Sequence, residues 1–198
     1  MRATALACRR GARLLFDRLD LSVQAGQLLW VRGPNGQGKT SLLRLLAGLS
    51  EPAEGQIERA ARVVYLGHQH ALKEDLSAQE ALAFLVTLHG DQADEAQLLD
   101  ALAHMGVKGK RHSPVRTLSQ GQRRRVALAR LLLTPPDTCW VLDEPFDALD
   151  DTGVAMLNAL LQAHRQAGGS VVLTSHQALT LPDRIELDLA AVASLARN

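Results

Sequence analysis

One stretch of the sequence combines three glycines, a lysine and two hydroxyl residues between an apolar segment and a leucine-rich segment. It reads G-P-N-G-Q-G-K-T and fits the pattern G-x-x-x-x-G-K-[ST], in which glycines let the backbone curve around phosphate oxygens. The lysine supplies a cation for the β- and γ-phosphates and the threonine a hydroxyl for Mg²⁺. We therefore predict a nucleoside triphosphate site formed by Gly33, Pro34, Asn35, Gly36, Gln37, Gly38, Lys39, Thr40 and Ser41.

Two adjacent acids, Asp143 and Glu144, follow the apolar segment Cys-Trp-Val-Leu at 139–142. A buried strand that ends in two carboxylates needs a counter-charge, and Mg²⁺ supplies one. We expect Asp143 to contact the metal together with Thr40, usually through water. Glu144 is then placed to polarise a water for in-line attack on the γ-phosphate. The alternative is an exposed strand end with solvated acids.

These residues are carried by short apolar segments that alternate with helical patterns. The segments 28–33, 62–67, 139–143 and 170–175 are typical of buried parallel strands. The predicted helices run from Thr40 to Leu49, from a capping box at Ser77 to about His89, from a cap at Asp91 to Met105, from Ser119 to Leu133, and from Thr152 to Ala167. The fold class is thus α/β with a mainly parallel sheet. Residues 1–27 alternate like antiparallel strands, and residues 76–117 form a helical insertion.

Length and composition limit the class of protein. A chain of 198 residues predicts a single domain, and a net charge of +1 gives no global field for nucleic acid or anionic lipid. Two cysteines are consistent with a reducing compartment. No stretch approaches the roughly 20 apolar residues that span a bilayer, so we expect attachment to a membrane to require a partner.

The segment Thr-Leu-Ser-Gln-Gly-Gln-Arg-Arg-Arg-Val-Ala-Leu-Ala-Arg at 117–130 resembles the signature of the ATP-binding cassette ATPases, a class of P-loop NTPase. Other parts of that family occur in order along nearly the whole chain. Gln69 resembles the Q-loop glutamine, Asp147-Ala148-Leu149-Asp150 the D-loop, and His176 the switch histidine. The resemblance implies that His176 donates to the γ-phosphate and holds the attacking water with Glu144.

The family resemblance also implies a homodimer that binds ATP and Mg²⁺. It implies that each ATP lies between the phosphate loop of one subunit and the signature of the other, so that Ser119, Gly121, Gln122 and Asp150 serve the partner's nucleotide. Gln69 is implied as a ligand of both the nucleotide and the metal. Ser119 and Gln122 also fit an ordinary helix capping box. The family's adenine-stacking aromatic is replaced by Arg10, because Phe16 is expected to lie in the core.

Within the family, the segments 67–69, 73–80, 124–131, 142–150 and 174–177 resemble the ATPase subunits of bacterial cytochrome c maturation complexes. This implies integral membrane permease partners, a peripheral position on the cytoplasmic face of the inner membrane, and a role in haem export, delivery or release. We expect the segment Gln69–Leu76 to dock a partner helix, with apolar contacts from His70, Ala71, Leu72 and Leu76 and with Lys73 and Glu74 on the rim.

Two alternatives remain open at this stage. One is a short exporter ATPase with another cargo. The other is a soluble cassette ATPase acting on DNA or ribosomes, which is disfavoured because the chain has a single cassette and no long insertion between Lys39 and Ser119. The basic run Arg123–Arg125 fits a solvated helix face, since the net charge is near neutral, and no nucleic-acid partner is expected.

Overall fold

The computed structural model describes residues 1–68, 71–177 and 181–195, the last three by their backbone. In this part of the chain the strands, numbered in chain order, are β1 (Arg2–Arg10), β2 (Arg13–Ser22), β3 (Leu28–Arg32), β4 (Glu54–Glu58), β5 (Val63–Leu66), β6 (Cys139–Leu142), β7 (Ser170–Thr174) and β8 (Arg184–Asp188). The α-helices are α1 (Lys39–Leu46), α2 (Ala78–Leu88), α3 (Glu95–His104), α4 (Gln120–Ala129), α5 (Asp151–Gln166) and α6 (Leu189–Leu195). Single turns of 3₁₀-helix cover Lys108–Lys110, Val115–Thr117 and Arg130–Leu133.

The predicted apolar segments form four strands of a five-stranded sheet in the order β5-β6-β7-β3-β8, in which β5 is an edge strand. The neighbours β6, β7, β3 and β8 pair in parallel, and every residue of β6 and β7 is buried. Burial on both faces explains why these strands read as continuous apolar runs. The antiparallel expectation for the first residues is also confirmed, since β1 pairs with β2 and β4 in a second, three-stranded sheet.

The five predicted helices are all present in the predicted order, but not at every predicted end. The capping box that begins α2 is present, with the Ser77 N–H donating to Glu80 Oε2 at 2.9 Å. The predicted cap at Asp91 is wrong: Asp94 caps α3, because its Oδ1 accepts a hydrogen bond from the Gln97 N–H at 2.8 Å. Helix α1 ends at Leu46 rather than Leu49, and the helix after Ser119 continues past Ala129 as 3₁₀ to Leu133.

Three elements were not predicted from the sequence: β4, β8 and α6. Strand β4 has the sequence EGQIE and is largely exposed, so it lacks the apolar alternation that marks a strand. Strand β8, RIELD, is likewise mostly exposed, and it forms because β3 offers a free parallel edge. The edge pairing, rather than local preference, creates this strand.

The chain divides into two compact units. The first comprises Met1–Tyr65, Pro136–Glu144 and His164–Asn198, and its core joins apolar residues of both sheets to the buried face of α1. The second comprises Leu66–Pro135 and Pro145–Ala163, in which α2, α3 and α4 pack together around buried leucines. The segment 76–117 lies within the second unit. None of the helices in the described ranges is both long and apolar enough to cross a bilayer.

Candidate nucleotide-binding and hydrolysis site

The glycine-rich turn lies between β3 and α1 in the first unit. Gly36 and Gly38 have φ values of 77° and 99°, which favour glycine, and a Cβ on Gly38 would lie 3.2 Å from the Leu15 side chain. Gly38 is also the N-cap of α1, where no side chain of the described residues caps the helix. The first N–H groups of α1 are therefore available to an anion, and the helix dipole favours one there.

Lys39 supplies the positive charge at this turn. Its side chain is 9% exposed, and Nζ donates to the carbonyl oxygen of Gly33 at 2.6 Å. The chain thus folds the ammonium group back over the turn, where a phosphate can replace the carbonyl contact. Together with the uncapped start of α1, this arrangement fits a triphosphate. Thr40, the next residue, is exposed, and a hydroxyl oxygen such as it carries is a ligand that Mg²⁺ accepts.

The two acids lie at the carboxyl end of β6. Asp143 is 3% exposed and Glu144 is 8% exposed, so both carboxylates are largely withdrawn from water. Glu144 has φ of 48°, in the left-handed region that a non-glycine residue occupies at a cost of order 1–3 kcal/mol. Carboxylate oxygens, like the hydroxyl of Thr40, belong to the donor set that Mg²⁺ accepts.

Thr174, at the end of β7, joins the two acids and was not predicted as a site residue. Its hydroxyl donates to Asp143 Oδ1 at 2.9 Å and accepts a hydrogen bond from the Glu144 N–H at 2.9 Å. The residue is completely buried. A single polar residue at the end of the apolar run Ser-Val-Val-Leu-Thr was the signal that could have identified it.

His176 follows β7 and faces the second acid. Its backbone N–H donates to Glu144 Oε2 at 2.9 Å, and its Nε2 lies 3.4 Å from Glu144 Oε1. Because β6, β7 and β3 are parallel neighbours, the acids, His176 and the glycine-rich turn all follow the carboxyl ends of adjacent strands. The first unit therefore brings together, at one edge of the sheet, the glycine-rich turn, two buried carboxylates and a histidine that contacts the second of them.

The second unit carries the residues expected to serve the partner's nucleotide. Ser119 caps α4 in a complete capping box: its Oγ accepts from the Gln122 N–H at 3.2 Å, and its N–H donates to Gln122 Oε1 at 3.0 Å. A Cβ on Gly121 would lie 2.7 Å from the Ala148 carbonyl oxygen, so this position requires glycine. Both side chains of the capping box are thus held in place before any ligand binds.

Asp150 caps α5 by accepting a hydrogen bond from the Gly153 N–H at 2.8 Å, and it pairs with Arg125. These two contacts, the backbone bond first, hold the pKa of Asp150 below its usual value. Asp150 lines a cavity of about 360 Å³ together with Ser119, Gly121 and Gln122. Gln69 and His70, two further predicted residues, lie outside the described residues.

Comparison with known proteins gives a consistent result. The sequence profile of the ABC transporter family matches residues 16–147. The chain is 50% identical over 189 residues to the "Cytochrome c biogenesis ATP-binding export protein CcmA" of Methylococcus capsulatus, covering 89% of this chain and 91% of the relative. It is 48% identical over 191 residues to the protein of the same description from Pseudomonas putida, covering 90% of each chain.

Solved structures agree with the fold. An ABC transporter ATP-binding protein from Pyrococcus furiosus superimposes with a TM-score of 0.85 at 24% identity, over 97% of this chain and 98% of that one. A dimeric ATP-binding cassette bound to ADP and phosphate superimposes with a TM-score of 0.74 at 22% identity, over 89% and 88% of the two chains.

Proposed function

The chain belongs to the ABC transporter family, and we propose that it is the ATP-hydrolysing subunit of a membrane export complex for cytochrome c biogenesis. The main support is its similarity to cytochrome c biogenesis export proteins over about nine-tenths of both chains. ATP hydrolysis drives haem delivery or the release of a haem-loaded chaperone.

Hydrolysis is assigned to groups of the first unit. Lys39 and the uncapped first turn of α1 bind the β- and γ-phosphates of ATP. Thr40, Asp143 and Gln69 would hold Mg²⁺, which would neutralise charge on the phosphate oxygens. Glu144 polarises the attacking water, and the hydrogen bond from the His176 N–H fixes the direction of its carboxylate. The His176 imidazole, half-exposed beside Glu144, donates to the γ-phosphate.

The working form is a homodimer with two ATP molecules between its subunits. Each chain has one phosphate loop and one signature segment, so each nucleotide needs a contribution from both subunits. Ser119, Gly121, Gln122 and Asp150 of one subunit contact the nucleotide held by the phosphate loop of the other. The exposed start of α4, already fixed by its capping box, supplies N–H groups for the γ-phosphate. ATP thus closes the dimer and hydrolysis opens it.

Attachment to the cytoplasmic face of the inner membrane occurs through permease subunits. In the second unit, a groove of about 730 Å³ is lined by Ala71, Leu72 and Glu74 from the segment expected to dock a partner. The same groove contains two ion pairs, His68 with Asp147 at 3.5 Å and Arg123 with Glu74 at 3.5 Å. Leu72 is half-buried, which leaves part of its side chain available as an apolar anchor for a partner helix.

Leu72→Asp tests this function. Losing an apolar anchor and placing a charge in the groove should weaken partner binding by at least about 1–2 kcal/mol. We expect the variant to fold and bind ATP, to leave the membrane fraction, and to stop cytochrome c assembly in cells that carry it in place of the native protein.

The matched control is Leu88→Asp, since Leu88 is 60% exposed in the same unit and lies outside the groove. Normal cytochrome c assembly with Leu72→Asp would contradict the docking assignment. Cytochrome c assembly that continues in cells where this protein has no ATPase activity would contradict the proposed function.

A further inference from the structure

The run of three arginines on α4 is not the solvated helix face that the sequence predicted. Arg123 and Arg125 are half-buried, and each pairs with a carboxylate, Arg123 with Glu74 at 3.5 Å and Arg125 with Asp150. Arg124, between them, is 1% exposed. A charge buried so deeply is costly unless polar groups surround it, so the contacts of Arg124 indicate its role.

The Arg124 guanidinium binds two backbone carbonyls that are far apart in the sequence. Its Nε donates to the Pro145 carbonyl oxygen at 3.1 Å, and its Nη1 donates to the Gly67 carbonyl oxygen at 3.2 Å. Both carbonyls lie where the chain enters the second unit, because that unit consists of one segment that begins at Leu66 and another that begins at Pro145. One buried side chain thus joins the two points of entry.

A weaker contact joins the same two segments at the surface. His68 Nδ1, one residue after Gly67, lies 3.5 Å from Asp147 Oδ2, two residues after Pro145. His68 is exposed and Asp147 is partly exposed, and ion pairs in such positions contribute little. Hydrogen bonds from a charged donor are stronger than neutral ones, and here they are shielded from water. The guanidinium is therefore the main connection.

The first residue of one of these segments adjoins the second acid of the site. Glu144 immediately precedes Pro145, and it has a φ of 48° that surrounding contacts must maintain. On one side of Glu144, its own N–H donates to the Thr174 hydroxyl at 2.9 Å. On the other side, Arg124 holds the carbonyl of the next residue. The backbone of Glu144 is thus fastened both before and after its side chain.

We propose that Arg124 is a positioning residue for ATP hydrolysis. It fixes the chain after Glu144 to the segment that leads into Gln69, and so keeps the direction in which Glu144 polarises the attacking water. The proposal rests on the proposed ATPase function and deepens it. Arginine suits this role because its planar guanidinium donates in two fixed directions at once, whereas a lysine ammonium is a point charge.

The variant Arg124→Met tests this role, because methionine fills much of the space but donates no hydrogen bond. We expect kcat to fall on the order of tenfold to 100-fold, as for a displacement of the catalytic group by about 1 Å. The KM for Mg-ATP and the Kd for AMP-PNP should stay within about threefold of the wild type, since Lys39 and the start of α1 are untouched. Arg124→Lys keeps the charge but not the two directions, and its kcat should remain at least about fivefold below the wild type.

The matched control is Arg165→Met, which removes another guanidinium that binds backbone carbonyls. Arg165 Nε donates to the Gly26 carbonyl at 2.8 Å, and its Nη1 donates to the Pro182 carbonyl at 3.2 Å. Gly26 precedes β3, whereas the site follows the carboxyl ends of the strands. Arg165→Met should lower the urea midpoint, as Arg124→Met does, but should leave kcat within about twofold of the wild type.

All rates are measured without denaturant on protein that circular dichroism shows to be folded. The proposal is overturned if Arg124→Met or Arg124→Lys hydrolyses ATP at the wild-type rate, or if Arg165→Met lowers kcat as much as Arg124→Met. A loss of AMP-PNP affinity as large as the loss of kcat would also overturn it. If Arg124→Met does not fold, the comparison of Arg124→Lys with Arg165→Met decides the question. A wild-type protein that does not hydrolyse ATP would instead refute the proposed function.

Discussion

Thr174→Val should show how much the two acids depend on one buried hydroxyl. Valine keeps the volume and the branched shape of threonine but removes the donor to Asp143 and the acceptor for the Glu144 N–H, both at 2.9 Å. A hydrogen bond to a charged group contributes about 1.5–3 kcal/mol and a neutral one about 0.5–1.5, so the loss in unfolding free energy should be about 2–4.5 kcal/mol.

Activity should fall along with stability. Without the bond from its N–H to Thr174, Glu144 loses a restraint on a backbone that has a φ of 48°. A displacement of the attacking-water contact by about 1 Å can lower kcat on the order of tenfold to 100-fold. The KM for Mg-ATP should change less than kcat, because Lys39 and the start of α1 are untouched although Asp143 loses one hydrogen bond. Urea unfolding and steady-state ATPase assays measure the two effects separately.

Thr174→Ser is the control, since it keeps the hydroxyl and loses one methyl group, at a cost of about 1 kcal/mol. It should retain most of the ATPase activity. A Thr174→Val protein that is as stable as Thr174→Ser, or that hydrolyses ATP at the wild-type rate, would refute the argument that this hydroxyl positions the acids.

Three more predictions follow from the geometry. Lys39→Ala removes the buried cation of the phosphate loop and should lower ATPase turnover on the order of 10²–10³-fold at saturating Mg-ATP; near-normal turnover would contradict the site. Glu144→Gln should bind ATP without hydrolysing it and elute as an ATP-dependent dimer in size-exclusion chromatography, and adding Ser119→Arg should prevent that dimer. Burial lowers the pKa of His164, so the folded state favours the neutral ring. The free energy of unfolding should therefore fall as the pH drops below about 6.5. The urea midpoint should decrease more from pH 7.5 to about 5.5 in the wild type than in His164→Gln.

The sequence determined most of the chemistry of the first unit. The glycines, Lys39 and Thr40 are contiguous in the sequence, and the two acids end a buried strand. The glycine-rich turn and the acids lie at the same edge of the sheet because parallel strands end there. The central strands were predictable for the same reason, because burial on both faces leaves a continuous apolar run. The capping boxes at Ser77 and Ser119 were predictable because both partners lie three residues apart.

The tertiary structure decided what depends on residues far apart in the chain. Thr174 reaches the two acids across β6 and β7, a contact that no local pattern encodes. The sheet edge, rather than the polar sequence of β8, makes residues 184–188 a strand.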